Sequence, residues 1–216
     1  MKRKMFGVIG AGRFGESLAV ALSEMGHDVL IVDSNEKVIQ ELADKVTHAV
    51  QADSTNEHII KTLGLKNFDK VVVAIGDLEA SILTCLILRE QGVKHIIAKA
   101  HTSLHGKLLE KIGVDRVIFP ERDMGIRLAK NLLSSSVLDY INLSPDYSVT
   151  ELLAPTFMVG ASLGDLELRA KYGVNVIAIR SGEKINISPM ATDVINENDL
   201  LVILGDNKAV EKIAKE

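Results

Sequence analysis

Apolar positions up to about Leu133 follow two patterns that alternate along the chain. Short β-branched runs such as Val71–Ile75 are typical of strands buried on both faces of a parallel sheet. Between these runs, apolar residues return every three or four positions, as on one face of a helix. The alternation predicts an α/β fold with a Rossmann-like, doubly wound parallel sheet. The predicted strands lie at 6–9, 29–32, 47–51, 71–75, 95–99 and 116–119.

Beyond the serine run 134–136 the pattern becomes rich in strands. Strands are predicted at 137–143, 148–153, 175–180, 184–187 and 199–204, with one helix at 163–172 and a closing helix at 207–215. Gly173 is expected to end the first of these helices. We therefore predict a sheet domain at 1–134, a linker at 135–144 and a small α+β domain at 145–216.

A glycine turn follows the first predicted strand and opens the first helix. Gly10, Gly12 and Gly15 have the spacing G-x-G-x-x-G. The first glycine permits the turn, the second lets the backbone approach a pyrophosphate, and the third allows close helix–strand packing. Because the first N–H groups of a helix have no partner within it, they would face the phosphates. The turn therefore predicts a phosphate-binding site.

Asp33 ends the second predicted strand, where a carboxylate grips the ribose diol of a bound nucleotide. The alternative, a structural turn without a ligand, does not call for a carboxylate at this distance, so we expect an adenine nucleotide site. Ligands of such sheets bind outside the carboxyl ends of the strands. Asp53 and Lys99 are candidates on position alone. The further candidates near strand ends are Ser34, Ser54, Ala74, Ile75 and Gly76.

Composition restricts the function classes. The chain is 47% apolar, carries a net charge of −4 and has no basic stripe, which disfavours a nucleic-acid surface. Cys85, the only cysteine, cannot form an internal disulfide and suits a reducing compartment. No apolar run approaches the roughly 20 residues that cross a bilayer. We expect a cytosolic protein that would act on a membrane through a partner.

Motifs for covalent or metal-dependent catalysis are missing from the sequence. There is no G-x-S-x-G, C-x-x-C or P-loop pattern, and all six histidines precede residue 106. His101 and His105 lie one helical turn apart and could hold a metal, although without an acidic third ligand a helical pair is favoured. A nucleotide site without evident chemistry favours a sensor over an enzyme.

Several motifs, taken in order, resemble the RCK (KTN) family, and above all the gating subunits of bacterial Ktr potassium uptake systems. They are the glycine turn with Val32-Asp33, the segments 52–55, 71–76 and 120–125, and Arg169-Ala170-Lys171-Tyr172-Gly173. The resemblance implies a homo-octameric ring, a tetramer of dimers, docked under a membrane-embedded potassium transporter. It also implies that ATP and ADP compete for the first domain, and that cyclic di-AMP binds between two copies of the second.

The resemblance also implies roles for individual residues. Arg13, next to Phe14 in the glycine turn, would reach the terminal phosphates, which fits a guanidinium at a helix N-terminus. Glu121 would help to bind Mg²⁺ or Ca²⁺ beside the phosphates, or would merely complement a helix dipole. The cyclic di-AMP positions would be Arg169, Asn175, Ile177 and Pro189, each of which also has an ordinary structural explanation.

Two other functions remain open from the sequence. One is a small NAD-dependent oxidoreductase, in which Asp33 would favour NAD over NADP because a carboxylate repels a 2′-phosphate. The other is a sensor of NAD and NADH of the Trk type. Comparison of ATP, ADP, NADH and cyclic di-AMP as ligands would separate these hypotheses.

Overall fold

The computed structural model describes residues 2–133 and 137–215, apart from several side chains between 130 and 142. The chain divides into two compact units, Met1–Asp123 and Met124–Glu216. The domain limits predicted above, at 134 and 145, remain a prediction.

The first unit is built on a parallel sheet. Its strands are β1 (Met5–Ile9), β2 (Asp28–Asp33), β3 (His48–Gln51), β4 (Lys70–Val73), β5 (Ile96–Lys99) and β6 (Arg116–Ile118). They lie in the order β3-β2-β1-β4-β5-β6, and every neighbouring pair is parallel. The strand order reverses between β1 and β4, and such a switch point is where ligands bind in open α/β sheets.

Helices follow the strands as the sequence pattern predicts. They are α1 (Arg13–Glu24), α2 (Glu36–Leu42), α3 (Glu57–Thr62), α4 (Leu78–Glu90), α5 (Ser103–Lys111) and α6 (Pro120–Leu133). Side-chain oxygens of Asn35, Asn56, Asp77 and Thr102 accept backbone N–H groups at the starts of α2 to α5. These caps satisfy donors that the helices leave without a partner.

Apolar residues cover both faces of this sheet, which confirms the predicted fold class. Val8 and Ile31 pack on one side with Leu42. Their neighbours in sequence, Ile9 and Val32, belong to a larger cluster on the other side. Because successive side chains of a strand point to opposite faces, this alternation places apolar layers on both sides.

The second unit contains an antiparallel sheet in the order β10-β9-β11-β8-β7. Its strands are β7 (Val137–Asn142), β8 (Tyr147–Leu153), β9 (Asn175–Ser181), β10 (Lys184–Asn186) and β11 (Leu200–Asp206). Besides most of α6, which begins before Met124, its helices are α7 (Leu163–Leu166), α8 (Leu168–Tyr172) and α9 (Asn207–Lys215). The core includes Leu152, Ile179, Leu201, Ile203 and Ile213. The predicted hairpin of β9 and β10 is present.

The prediction of a single helix at 163–172 is wrong. The structure has two short helices, α7 and α8, which meet at Glu167, whose φ is +46°. A residue in the left-handed region ends a helix, and the apolar spacing on either side does not reveal it. The conformation costs a non-glycine residue roughly 1–2 kcal/mol. Gly173, with φ +70°, ends α8 as predicted.

Candidate functional site

A cavity of about 380 Å³ lies at the carboxyl ends of β1 to β4. Cavities of this size accommodate small-molecule ligands. Many of the predicted site residues line it, namely Gly10, Gly12, Asp33, Ser34, Asp53, Ser54, Ala74, Ile75 and Gly76. The remaining lining residues, which the sequence analysis did not assign to the site, are Ile9, Val32, Ala52, Thr55, Asp77 and Ala80. All six lie at a strand end or in the turn or first helical residues after it, which is the signal that could have found them.

The glycine turn has the close approaches that its sequence predicts. Gly10 has φ +99°, and a Cβ there would lie 2.9 Å from the carbonyl carbon of Ala74. A Cβ on Gly15 would collide with the carbonyl oxygen of Gly10. Both positions therefore require glycine for the packing of α1 against β1 and β4.

Gly12 differs from these two glycines, because a Cβ on it would meet nothing within 4 Å. It is the N-cap of α1, and no side chain caps this helix. The N–H groups of the first turn and the space in front of Gly12 thus fit a phosphate group. The open space in front of Gly12 is thus consistent with a bound nucleotide, whose phosphates it could accommodate.

Asp33 is tied to the glycine turn. Its Oδ2 accepts the N–H of Ala11 over 2.6 Å, and its Oδ1 accepts the N–H of Asn35 over 2.8 Å. A carboxylate oxygen can accept more than one hydrogen bond, so a ribose diol could still bind. Asp33 therefore joins the end of β2 to the turn after β1, a contact that the sequence analysis did not predict.

Asp53 lies at the end of β3 and is held by Thr55. Its Oδ1 accepts the hydroxyl of Thr55 over 2.7 Å and the N–H of the same residue over 2.9 Å. These bonds, the hydroxyl first, lower the pKa of Asp53 below its ordinary value. The ionised carboxylate presents only acceptors to the cavity.

Lys99 and Glu121, which are not among the lining residues of the cavity, form an ion pair. The two side chains meet over 2.9 Å between Nζ and Oε1, with 10% of the lysine and 61% of the glutamate exposed. The hydrogen bond from Lys99 is the main cause that lowers the pKa of Glu121. The predicted residues Arg13, Phe14 and Gly15 also lie outside the cavity lining, although they begin α1 directly behind Gly12.

His101 and His105 are not joined by a third metal-ligating side chain among the described residues. His105 is buried, its Nε2 has no hydrogen-bond partner, and burial together with the charge of His101 lowers its pKa. Within 2–133 and 137–215, no three His, Cys, Asp or Glu side chains are grouped so that they could hold a metal ion. A cation at Glu121 would therefore need other oxygen ligands, for example those of a nucleotide.

The second unit has a depression of about 360 Å³ beside α8. Arg169 and Asn175 line it, together with Glu167 and apolar residues of α7, α8 and β9. Ile177 and Pro189, the other two predicted positions, are not among the lining residues. A cation, an amide and apolar walls suit a phosphate-bearing nucleotide in chemical terms.

Comparison with known proteins identifies the family. Residues 6–120 match the TrkA-N domain, and residues 151–216 match the TrkA-C domain. The chain therefore belongs to the RCK (KTN) family, in the group of regulatory subunits of Ktr-type potassium uptake systems.

Two relatives and one solved structure illustrate the match. Ktr system potassium uptake protein C of Bacillus subtilis is 47% identical over 99% of this chain and 97% of the relative. Ktr system potassium uptake protein A of the same organism is 46% identical over 100% and 98%. A structure of the GsuK channel bound to NAD has a TM-score of 0.67 at 21% identity, covering all of this chain and 40% of that chain. The last match supports the fold alone.

Among the residues that the structure describes, no helix combines the length and apolar character needed to span a bilayer.

Proposed function

We propose that this chain is a nucleotide-sensing subunit, in which ATP and ADP compete for the cavity at the switch point of the first unit. The observation that carries the proposal is the open space before Gly12 at the uncapped start of α1, with Asp33 beside it. Phosphates would bind to the first-turn N–H groups and the ribose to Asp33. The family assignment supports a regulatory rather than an enzymatic role.

Discrimination between ATP and ADP requires a group that contacts only the terminal phosphate. Arg13 is the first residue of α1 and is exposed beside Gly12, so its guanidinium is the candidate. A ligand shifts a conformational equilibrium only by its different affinity for the two states. The contact of Arg13 with the γ-phosphate would supply that difference.

The experiment is isothermal titration of ATP and ADP with the Arg13→Ala variant. We expect the ATP affinity to fall by about ten- to a hundredfold, since charge-assisted hydrogen bonds contribute about 1.5–3 kcal/mol, while the ADP affinity changes little. Arg116→Ala is the matched control, because Arg116 is exposed at the amino end of β6, away from the carboxyl ends. Equal losses for both nucleotides would refute this role of Arg13. Absence of binding to either nucleotide in the unaltered protein would refute the site.

Assembly is the second part of the proposal. We infer a homo-octameric ring, a tetramer of dimers, that lies on the cytoplasmic side of the membrane and gates a potassium transporter subunit. The relatives named above support the potassium uptake system, and the resemblance to gating rings supports the stoichiometry. Light scattering after size exclusion tests it: a mass near eight chains agrees, whereas a stable monomer or dimer contradicts it.

The depression of the second unit is proposed to bind cyclic di-AMP between two copies. Arg169 and Asn175 would bind its phosphate and base, with Ile177 and Pro189 contributed at the two-fold interface. Arg169→Ala should abolish binding in equilibrium dialysis, and Lys171→Ala, on the same short helix, should not. Equal retention in both variants would argue against Arg169 as a ligand.

A divalent cation, Mg²⁺ or Ca²⁺, is proposed at Glu121 when a nucleotide is bound. Lys99 occupies the carboxylate, so the cation has to displace the ammonium. Lys99→Met should therefore strengthen Mg²⁺ or Ca²⁺ binding to the ATP-loaded protein by several-fold. Weaker binding in this variant would instead support the prediction that Lys99 itself contacts the nucleotide.

NAD or NADH is the second candidate ligand of the first unit, because the GsuK structure of similar fold binds NAD. Asp33 at the ribose position would accept NAD and repel the 2′-phosphate of NADP. A thermal-shift comparison of ATP, ADP, NADH and cyclic di-AMP separates a Ktr-type sensor from a Trk-type one. Steady oxidation of NADH with a small substrate would contradict our inference that the chain is not an enzyme.

A further inference from the structure

Thr84 is a polar residue in the buried face of α4. It is fully buried, next to Cys85 and one turn before Leu88, which are also fully buried. Burial of a hydroxyl is unfavourable unless it finds a hydrogen-bond partner. A threonine in a helix usually finds one in the carbonyl three or four residues earlier in its own helix.

The hydroxyl of Thr84 reaches a different element. Its Oγ1 lies 3.2 Å from the carbonyl oxygen of Ser54 and 3.0 Å from the hydroxyl oxygen of Ser54, thirty residues earlier in the chain. Ser54 lines the cavity at the end of β3, whereas Thr84 is not among the lining residues. The buried side chain of Thr84 in α4 is thus hydrogen-bonded to Ser54, a residue that lines the cavity, without lining the cavity itself.

The direction of these bonds determines what Ser54 offers to a ligand. Thr84 has one hydroxyl proton, and the carbonyl and hydroxyl oxygens of Ser54 share it in a three-centre bond, so Ser54 is the acceptor in both contacts. A serine hydroxyl has one proton, and this arrangement leaves it available for the cavity. Ser54 therefore presents a donor next to the ionised carboxylate of Asp53, which presents only acceptors.

The order of the strands places these two residues at the base of the nucleotide. Phosphates belong to the glycine turn after β1 and the ribose to Asp33 at the end of β2. The next strand outward is β3, so the base falls beside Asp53 and Ser54. Adenine carries an amino group next to a ring acceptor, and a 6-oxopurine such as hypoxanthine carries the reverse pair.

We propose that Thr84 is a positioning residue for base recognition, which acts by holding Ser54 so that its hydroxyl donates into the cavity. The inference rests on the proposed adenine nucleotide site and adds its base selectivity. Because Asp53 accepts and Ser54 donates, the pair matches the edge of adenine and opposes that of hypoxanthine. Thr84 itself contacts no ligand.

The test is titration of ATP and ITP, inosine triphosphate, with Thr84→Val, which has nearly the same shape but no hydroxyl. The unaltered protein should prefer ATP, and the variant should lose about five- to tenfold of that preference, the effect of one hydrogen bond. Thr84→Ser keeps the hydroxyl and should retain the preference. The matched control is Thr62→Val in α3, since Thr62 is exposed and its hydroxyl bonds the carbonyl of Ile59.

A second variant, Ser54→Ala, protects the test against poor folding of Thr84→Val. It should lose the same preference, and the double variant should lose no more than either single one, because both act on one interaction. An unchanged ratio of ATP to ITP affinity in Thr84→Val or Ser54→Ala overturns the inference while leaving the nucleotide site intact. Lack of binding of both nucleotides to the unaltered protein refutes the site itself.

Discussion

Asp33 accepts the backbone N–H of Ala11 over 2.6 Å, which joins the turn after β1 to the end of β2. The same carboxylate is the expected partner of the ribose, so one residue both builds the site and would bind the ligand. Shape and affinity at this site are therefore coupled. A change at Asp33 should alter the empty protein as well as the complex.

Asp33→Asn should destabilise the protein even without a nucleotide. An amide offers one acceptor oxygen, so its NH₂ group would face the N–H of Ala11 or of Asn35. A part-buried donor without a partner costs about 1–3 kcal/mol. Urea unfolding in nucleotide-free buffer measures this cost. Asp28→Asn, at the other end of β2 and paired with an exposed Arg3, is the control and should cost under about 1 kcal/mol.

Alanine at Gly12 should weaken nucleotide binding with little effect on stability, whereas alanine at Gly15 should destabilise the fold. Gly12 has φ −66° and open space around its Cβ position, so Gly12→Ala should leave the free energy of unfolding within about 1 kcal/mol. Its methyl group would fill the space for the phosphates and weaken nucleotide binding. Gly15→Ala should destabilise by about 1–3 kcal/mol, because its Cβ meets the backbone of Gly10.

Thermal unfolding and nucleotide titration of both variants test this contrast. If Gly12→Ala bound ATP as well as the unaltered protein, the space before Gly12 would not be the phosphate site. If Gly15→Ala unfolded at the same temperature as the unaltered protein, α1 could move away from Gly10 at little cost, and the close packing would not require glycine at position 15.

The two partners of the Lys99–Glu121 pair should contribute unequally to stability. Glu121→Ala leaves an ammonium that is only 10% exposed without its carboxylate, whereas Lys99→Met leaves a carboxylate that water can solvate. We expect Glu121→Ala to cost about 1–2 kcal/mol, after allowance for the exposure of the glutamate, and Lys99→Met to cost less. Urea unfolding of each variant measures the difference, and equal costs would contradict the role of burial.

Protonation of His105 should lower stability below neutral pH. Its pKa in the folded protein lies below the ordinary value of 6.5, because burial and the charge of His101 disfavour the imidazolium form. Between the folded pKa and 6.5 the unfolded chain binds more protons, so stability rises with pH in that range and is complete above it. Acidification from pH 7.5 through 6.5 should therefore reduce the free energy of unfolding.

His105→Leu should flatten this part of the stability curve, whereas His48→Leu, at an exposed position of β3, should keep its slope. Chemical unfolding at several pH values between 5 and 7.5 gives both curves. The carboxylates with lowered pKa values, Asp53, Asp115 and Glu121, act at lower pH and do not obscure the comparison. If the slope were unchanged in His105→Leu, the pH dependence of stability would arise from groups other than His105.

The sequence by itself determined the parallel sheet, the helices on both its faces and the glycine turn. These features depend on local periodicity and on the few residue types that tolerate a tight turn, both of which can be read over a dozen residues. The same holds for Asp33 as a candidate, since its place at the end of β2 follows from the strand pattern.

Only the tertiary structure decided how these residues are used. The contacts of Asp33 with Ala11, Lys99 with Glu121 and Thr84 with Ser54 join residues 22 to 30 positions apart. The break between α7 and α8 at Glu167 is likewise invisible in the apolar spacing. Such contacts arise when strands and helices pack at fixed distances, and no local pattern encodes which side chains then meet.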